Sequence, residues 1–282
     1  MRHYILKHSC PDATGIVAAL TGLIADFGGL ITEAAHFRDP IDARSLMRAE
    51  FEGDLPPPEE FERAFRPLAA RLASRWSLFE GNQPCRVLIA VSREGHCLNS
   101  MLHRASIGAL PIEVVGVVSN HPDQGRLAAW YELPFFHLPI EADGKAAQEA
   151  RLLEVFEETN AELLVLARYM QILSDAACER LRRRCINIHH SFLPGFKGAR
   201  PYHQAYARGV KIIGATAHYV TPDLDEGPII EQGVERVDHT VVPESMIEIG
   251  HDLEAAVLNR AVRWHAEHRI FVLGQRTVVM RS

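Results

Sequence analysis

A chain of 282 residues, 47% hydrophobic and 23% charged, has the makeup of a globular protein, with apolar material for one large domain or two ordinary ones. The net charge of −6 excludes the electrostatic footprint of a nucleic-acid binder, and the densest basic cluster, Arg182-Arg183-Arg184, reads as a solvated helix end. Five cysteines without a C-x-x-C pair point to reduced thiols. No apolar run approaches the ~20 residues of a membrane span and no signal-peptide pattern opens the chain, so a cytoplasmic protein without a membrane partner is expected.

In chain order, residues 2–8 alternate as a strand up to Ser9-Cys10-Pro11-Asp12. Ile16, Val17, Leu20, Leu23, Ile24 and Phe27 then share one helical face, with Asp12 or Thr14 as cap and Gly28-Gly29 as stop. Strands follow at 30–37 and 46–51. After Pro56-Pro57-Pro58, a second amphipathic helix carries Phe61, Phe65, Leu68 and Leu72, and a last strand covers 75–79. This β-α-β-β-α-β order is the split-βαβ, ferredoxin-like pattern. Such a sheet leaves a face or an edge bare, so association of copies into a dimer or tetramer is expected.

Gly81-Asn82-Gln83-Pro84 reads as the linker, which divides the chain into domains at 1–81 and 85–282 joined by 82–84. Beyond it, strands and helices alternate. The strands fall at 85–91, 114–119, 135–138, 163–167, 186–188, 212–220 and 229–237. The helices fall at 96–107, 146–159, 174–184 and 243–267, ahead of a terminal hairpin around Gly274-Gln275. The pattern predicts an α/β fold, an open, mostly parallel, doubly wound sheet with right-handed crossovers.

Three segments at predicted carboxyl ends of strands carry chemistry. The first, Ser92-Arg93-Glu94-Gly95-His96-Cys97-Leu98, has one glycine where a nucleotide cradle needs several, so no nucleotide cofactor is expected. The second, Arg168-Tyr169-Met170-Gln171-Ile172-Leu173, mixes apolar and amide groups in a way that suits a flat heteroaromatic ligand. The third runs from Cys185 to Gln232. Alternation along Ile186-Asn187-Ile188-His189 puts the polar pair on one face, where an amide donor and an imidazole can address one developing oxyanion. Asp225, in a loop closed by Gly227-Pro228, can join them, with Asp223 and Glu226 as rival carboxylates. His190, His203 and His218 have no familiar metal-ligand spacing, so no metal is expected.

Taken together, these segments resemble the folate-dependent formyltransferase family. The shared features are Asn187-Ile188-His189, Ser191-Phe192-Leu193-Pro194 and Asp225-Glu226-Gly227-Pro228-Ile229. They extend to Leu166–Leu173, Arg200–Tyr206 and Gly214–Val220, and the N-terminal unit with Cys10-Pro11-Asp12 resembles an ACT domain. The resemblance implies Asn187, His189 and Asp225 as the catalytic trio. It implies Arg168 to Leu173 on the pterin side, with His218 and Gly227 also at the substrate. It further implies an amino-acid effector near Asp12, Gly28 and Gly29, although Leu30 stands where the family's effector turn has Asn.

The reaction implied is hydrolysis of 10-formyltetrahydrofolate, with folate as substrate and no cofactor. Ser92, His96, Cys97 and Leu98 would close the acceptor side and leave water as the nucleophile. The competing readings are formyl transfer to an amine acceptor and a non-catalytic folate or amino-acid sensor.

Overall fold

The structure, a computed structural model, describes residues 1–140, 144–193 and 201–281. It divides into two compact units. One comprises Met1–Gln83 with Glu267–Phe271 and Val279–Ser282, and the other comprises Pro84–Ala266 with Val272–Val278.

The first unit runs β1 (Arg2–Pro11), α1 (Ile16–Asp26), β2 (Leu30–Asp39), β3 (Arg44–Gly53), α2 (Pro58–Arg71) and β4 (Arg75–Glu80). Its sheet has the order β2-β3-β1-β4, with every pair antiparallel. Period-2 alternation turns Tyr4, Leu6 and Cys10 of β1 and Met47, Ala49 and Phe51 of β3 onto a core completed by Leu20, Ile24, Phe61 and Phe65 of the helices. α2 starts as its sequence predicts, with Pro58 at the first turn beside Glu59 and Glu60, whose charges suit a helix N-terminus. α1 departs from expectation. Gly15 occupies its N-cap with no side-chain cap, while the Asp12 carboxylate pairs with Arg38. Gly28 ends α1 in the left-handed region, φ 73°, with its N–H donated to Ala25 O at 2.8 Å.

Of the bare face or edge expected from the sequence, the face turned away from the helices is covered. Arg48, 1% exposed on that face, donates to Glu33, Glu50 and the Glu267 carbonyl. Arg269 forks onto Glu33 at 2.6 and 2.8 Å. Residues 267–271 and 279–282 therefore belong with the first unit, although a boundary read at 82–84 places them in the second. The ion pairs that join them lie hundreds of positions apart and leave no local mark. β2 remains a sheet edge.

The second unit runs β5 (Cys85–Val91), α3 (His96–Ser106), β6 (Ile112–Ser119), α4 (Gly125–Trp130), β7 (Phe135–His137), α5 (Gly144–Glu158) and β8 (Leu163–Leu166). It continues through α6 (Asp175–Arg180), β9 (Cys185–His189), α7 (Pro201–Ala207), β10 (Ile212–Tyr219), β11 (Ile229–Arg236) and α8 (Pro243–Ala266). A hairpin of β12 (Ile270–Leu273) and β13 (Arg276–Val279) closes the chain. The seven-stranded sheet has the order β11-β10-β9-β8-β5-β6-β7. β5 to β9 pair parallel, whereas β10 and β11 are antiparallel. β8 is buried at all four residues, as a strand covered on both faces must be. α6 is shorter than its predicted span because the chain turns at Arg183, φ 61°, and the short helices α4 and α7 carry too few turns to show a period.

The chain winds outward from β5 through β6 to β7, then returns to β8 on the other side of β5. That reversal opens a crevice at the strands' carboxyl ends, where open α/β sheets bind ligands.

His8 of β1 is fully buried. Its Nε2 lies 2.6 Å from Ser74 Oγ, its Nδ1 has no partner among the described residues, and its ring meets Phe65 edge-on. Burial, then the charge of Arg44, lowers its pKa to about 4. The unfolded chain therefore binds a proton that the folded unit refuses between pH 6.5 and about 4. Stability of the first unit is expected to fall as pH drops through that window. Thermal unfolding of parent and His8→Gln should show a flatter acid slope for the variant.

Candidate active site

The carboxyl ends of β8 and β9, together with the loop after β10, enclose a cavity of about 340 Å³. Its lining includes Arg168 to Leu173, Asn187, His189, His190, His218, Leu224 and Asp225. β10 runs antiparallel to β9 in a register that sets His218 opposite Asn187. A shift in the β10–β11 pairing falls between Ala217 and His218, at the residue that faces the site.

The three predicted residues meet. His189 Nδ1 lies 3.2 Å from Asp225 Oδ2, His218 Nε2 lies 3.7 Å from Asp225 Oδ1, and Asn187 Nδ2 lies 3.3 Å from His218 Nε2. His218 Nδ1 donates to the Tyr219 carbonyl at 3.0 Å, and its Nε2, across the ring, faces both Asn187 and Asp225. The Asn187 amide carries two hydrogens and a single ring nitrogen can engage at most one, so at least one is available to a ligand. Burial opposes ionisation of Asp225, but hydrogen bonds from His189 and His218 outweigh it and hold the carboxyl well below the usual carboxylate range. Asp225 is thus an anion at neutral pH. The rivals Asp223 and Glu226 are exposed on the same loop.

Two backbone features aim Asp225. Its own φ is 58°, a left-handed conformation that Asp tolerates better than most residues. Two residues on, a Cβ on Gly227 would sit 1.8 Å from the Tyr219 carbonyl oxygen and 3.3 Å from His218 Nδ1. Gly227, read from sequence as a substrate contact, does not line the cavity; it lets the Asp225 loop press against β10.

The β8 exit loop is held from below. Ser92 accepts from Met170 N at 2.9 Å, donates to Asn120 Oδ1 at 2.7 Å, and its own N–H meets the Arg168 carbonyl at 3.1 Å. Ser92 therefore supports the pocket floor and is no part of its wall. Met170 and Ile172 stand exposed at the mouth, while Tyr169 and Leu173 are buried. Cys97 and Leu98, expected to close an acceptor side, are 1% and 0% exposed inside the core, because α3 turns that face toward the sheet.

His96 joins a charge cluster whose members sequence reasoning did not connect. Glu254 of α8, 0% exposed, accepts from His96 Nε2 at 2.8 Å and from the Tyr202 hydroxyl at 3.0 Å. Arg168 faces it at 3.5 Å and donates to Glu94 at 2.6 and 2.9 Å. His96 and Glu254 lie 158 positions apart, so no spacing signal was available. Among the described residues, donor atoms of Glu94, His96 and His251, and of His96, Cys97 and Glu254, lie within 4.8 Å of one another. The Arg168 cation already answers both carboxylates, a poor setting for a second positive charge.

An amide, an imidazole and a held carboxylate at the mouth of a doubly wound sheet define a site for acid/base chemistry on a small acyl group. Residues 85–262 match the sequence profile of the formyl transferase family. The chain is 50% identical to formyltetrahydrofolate deformylase of Corynebacterium sp. (strain P-1), over 100% of this chain and 99% of that protein. Its fold matches the crystal structure of formyltetrahydrofolate deformylase from Burkholderia mallei ATCC 23344 with a TM-score of 0.94 and 51% identity, covering 100% of both chains. Glycinamide ribonucleotide transformylase 1 from Symbiobacterium toebii aligns at 28% identity and TM-score 0.68, covering 73% of this chain and 98% of that one. The chain therefore belongs to the formyltetrahydrofolate deformylase family, within the formyl transferases.

Gly227→Ala is expected to displace the Asp225 loop and lower kcat by about 10²-fold, the scale of a ~1 Å misplacement. Steady-state kinetics beside a circular dichroism spectrum of the folded variant checks this. Parent-level kcat would separate loop packing from catalysis.

Proposed function

We propose that this chain hydrolyses 10-formyltetrahydrofolate to formate and tetrahydrofolate, and that Asn187, His189 and Asp225 carry the step. The observation behind the residue assignment is the ionised Asp225 carboxylate 3.2 Å from His189, with Asn187 beside it in the same cavity. Full-length similarity to proteins named formyltetrahydrofolate deformylase supports the reaction.

A water held between His189 and Asp225 attacks the formyl carbon as its proton passes to that pair. The carbonyl electrons move onto oxygen, where the free Asn187 N–H donates to the oxyanion, a contact worth about 10²–10³ in kcat. The intermediate collapses, the bond between carbon and N10 breaks, and N10 takes the proton back from the pair. Asp225 stabilises the imidazolium formed in between and fixes the plane of His189.

The exit loop of β8 holds the pterin side: backbone groups of Tyr169, Met170 and Gln171 read the ring edge, and Met170, Ile172 and Leu173 cover its faces. No cofactor enters the step. Among the described residues no helix is long and apolar enough to cross a membrane, and a cytoplasmic location suits a folate substrate.

The first unit takes the role of an ACT domain, with copies associating through the free β2 edge. An amino-acid effector there has to compete with Arg38 for Asp12. Titration calorimetry with a panel of free amino acids reads that binding directly, and heat from none of them leaves the unit with assembly alone.

Asp225→Asn is expected to lower kcat by roughly 10²–10⁴ with folate binding retained. The assay is free formate released from 10-formyltetrahydrofolate, with and without amine acceptors. Parent-level turnover by the variant would overturn the residue assignment, and formate release that requires an acceptor amine would overturn hydrolysis.

A further inference from the structure

Arg168 sits in the loop expected to hold the pterin, yet its guanidinium points away from that task. One fork goes to Glu94, Nε faces Glu254 at 3.5 Å, and Nη1 donates to His190 Nδ1 at 2.9 Å. A guanidinium has no acceptor, so His190 Nδ1 must be the unprotonated nitrogen and the ring's proton must sit on Nε2. That Nε2 is buried and has no hydrogen-bond partner among the described residues. The ring lies nearly flat against His189, with centroids 4.9 Å apart and planes at 21°.

We propose that His190 is a positioning residue for His189, locked by Arg168 as a neutral Nε2–H ring that braces the His189 imidazole in the plane where its Nδ1 meets Asp225. The proposal rests on the assignment of His189 and Asp225 to the reaction. Arg168 then serves catalysis through His190, and the buried carboxylate of Glu254, fixed by His96 and Tyr202, holds Arg168 in place.

The electrostatics agree with the geometry. The charged and titratable groups acting on His190 are Arg168 from the exit loop of β8, itself paired with Glu94, Glu254 from α8, Asp225 from the loop after β10, and His189 beside it. Burial, then Arg168, then His189 lower the His190 pKa to about 4. A protonated His190 would set a second cation against His189 at the moment His189 has to accept the water's proton. Keeping the neighbour neutral leaves Asp225 to face a single imidazolium.

Two measurements test this. In the parent protein, long-range ¹H–¹⁵N spectra of the histidine rings should show His190 as the neutral Nε2–H tautomer from pH 8 down to about 5. An Nδ1–H tautomer, or a ring protonated at pH 7, would overturn the proposal without touching the assignment of Asp225. In Arg168→Met, His190 should titrate at higher pH, and a new ionisation should enter the acid limb of the kcat profile. kcat should fall by about 10-fold or more while KM for 10-formyltetrahydrofolate moves within about twofold. Adding His190→Phe to that variant should remove the new ionisation. An Arg168→Met enzyme that mainly raises KM, or loses activity evenly across pH, would return Arg168 to substrate binding or to simple packing. Asp225→Asn, assayed in parallel, reports separately on the underlying mechanism.

Discussion

The contact on which the site depends is the one between the Asp225 carboxylate and two imidazoles. A carboxylate taken out of water is costly unless its charge is answered, and His189 and His218 answer it from neighbouring strands. Because the balance favours the anion, Asp225 draws both rings toward itself. The same demand explains the local backbone. A left-handed residue at 225 and a side-chain-free residue at 227 bring an exposed loop close enough to β10 for the carboxylate to reach the strand ends. The sheet supplies the rest, since antiparallel β10 beside parallel β9 faces His218 toward Asn187.

A second layer of charge lies behind the first. Glu254 sits on α8 with no exposure, and its two oxygens are taken by His96, Tyr202 and the field of Arg168. Burial opposes its ionisation, yet the hydrogen bond from His96 and the positive charge of Arg168 keep it below the ordinary range. Removing one member of such a buried set leaves a charge unanswered, a loss of about 3–5 kcal/mol in comparable pairs. A cluster of this kind ties the exit loops of β5 and β8 to α8.

The first unit uses the same chemistry for a different end. Arg48 and Arg269 share Glu33, with Glu50 and Glu267 alongside, on the sheet face opposite the helices. Forked guanidinium–carboxylate pairs are directional, so they hold the returning C-terminal residues in one register rather than merely near the sheet. Apolar packing on the helix side and ion pairs on the other face give this small unit two covered faces.

Much of this was legible in the chain. The alternation of Ile186-Asn187-Ile188-His189 sets the polar pair on one face by the geometry of any strand, and the continuous apolar run of β8 requires burial on both sides. Those are local consequences of backbone period and give the order of strands and helices and the Asn187–His189 pair, whereas Asp225, 36 positions further on, joined the trio only through the resemblance to the folate-dependent family. What only the tertiary structure decided is which distant groups share a site. The Asp225 carboxylate lies against both His189 and His218, Gly227 packs against β10 and does not line the cavity, and the Arg168 guanidinium is engaged by Glu94, Glu254 and His190. Each outcome depends on strand register and on packing between elements far apart in the chain, and on a buried charge's need for a partner, none of which a local pattern can encode.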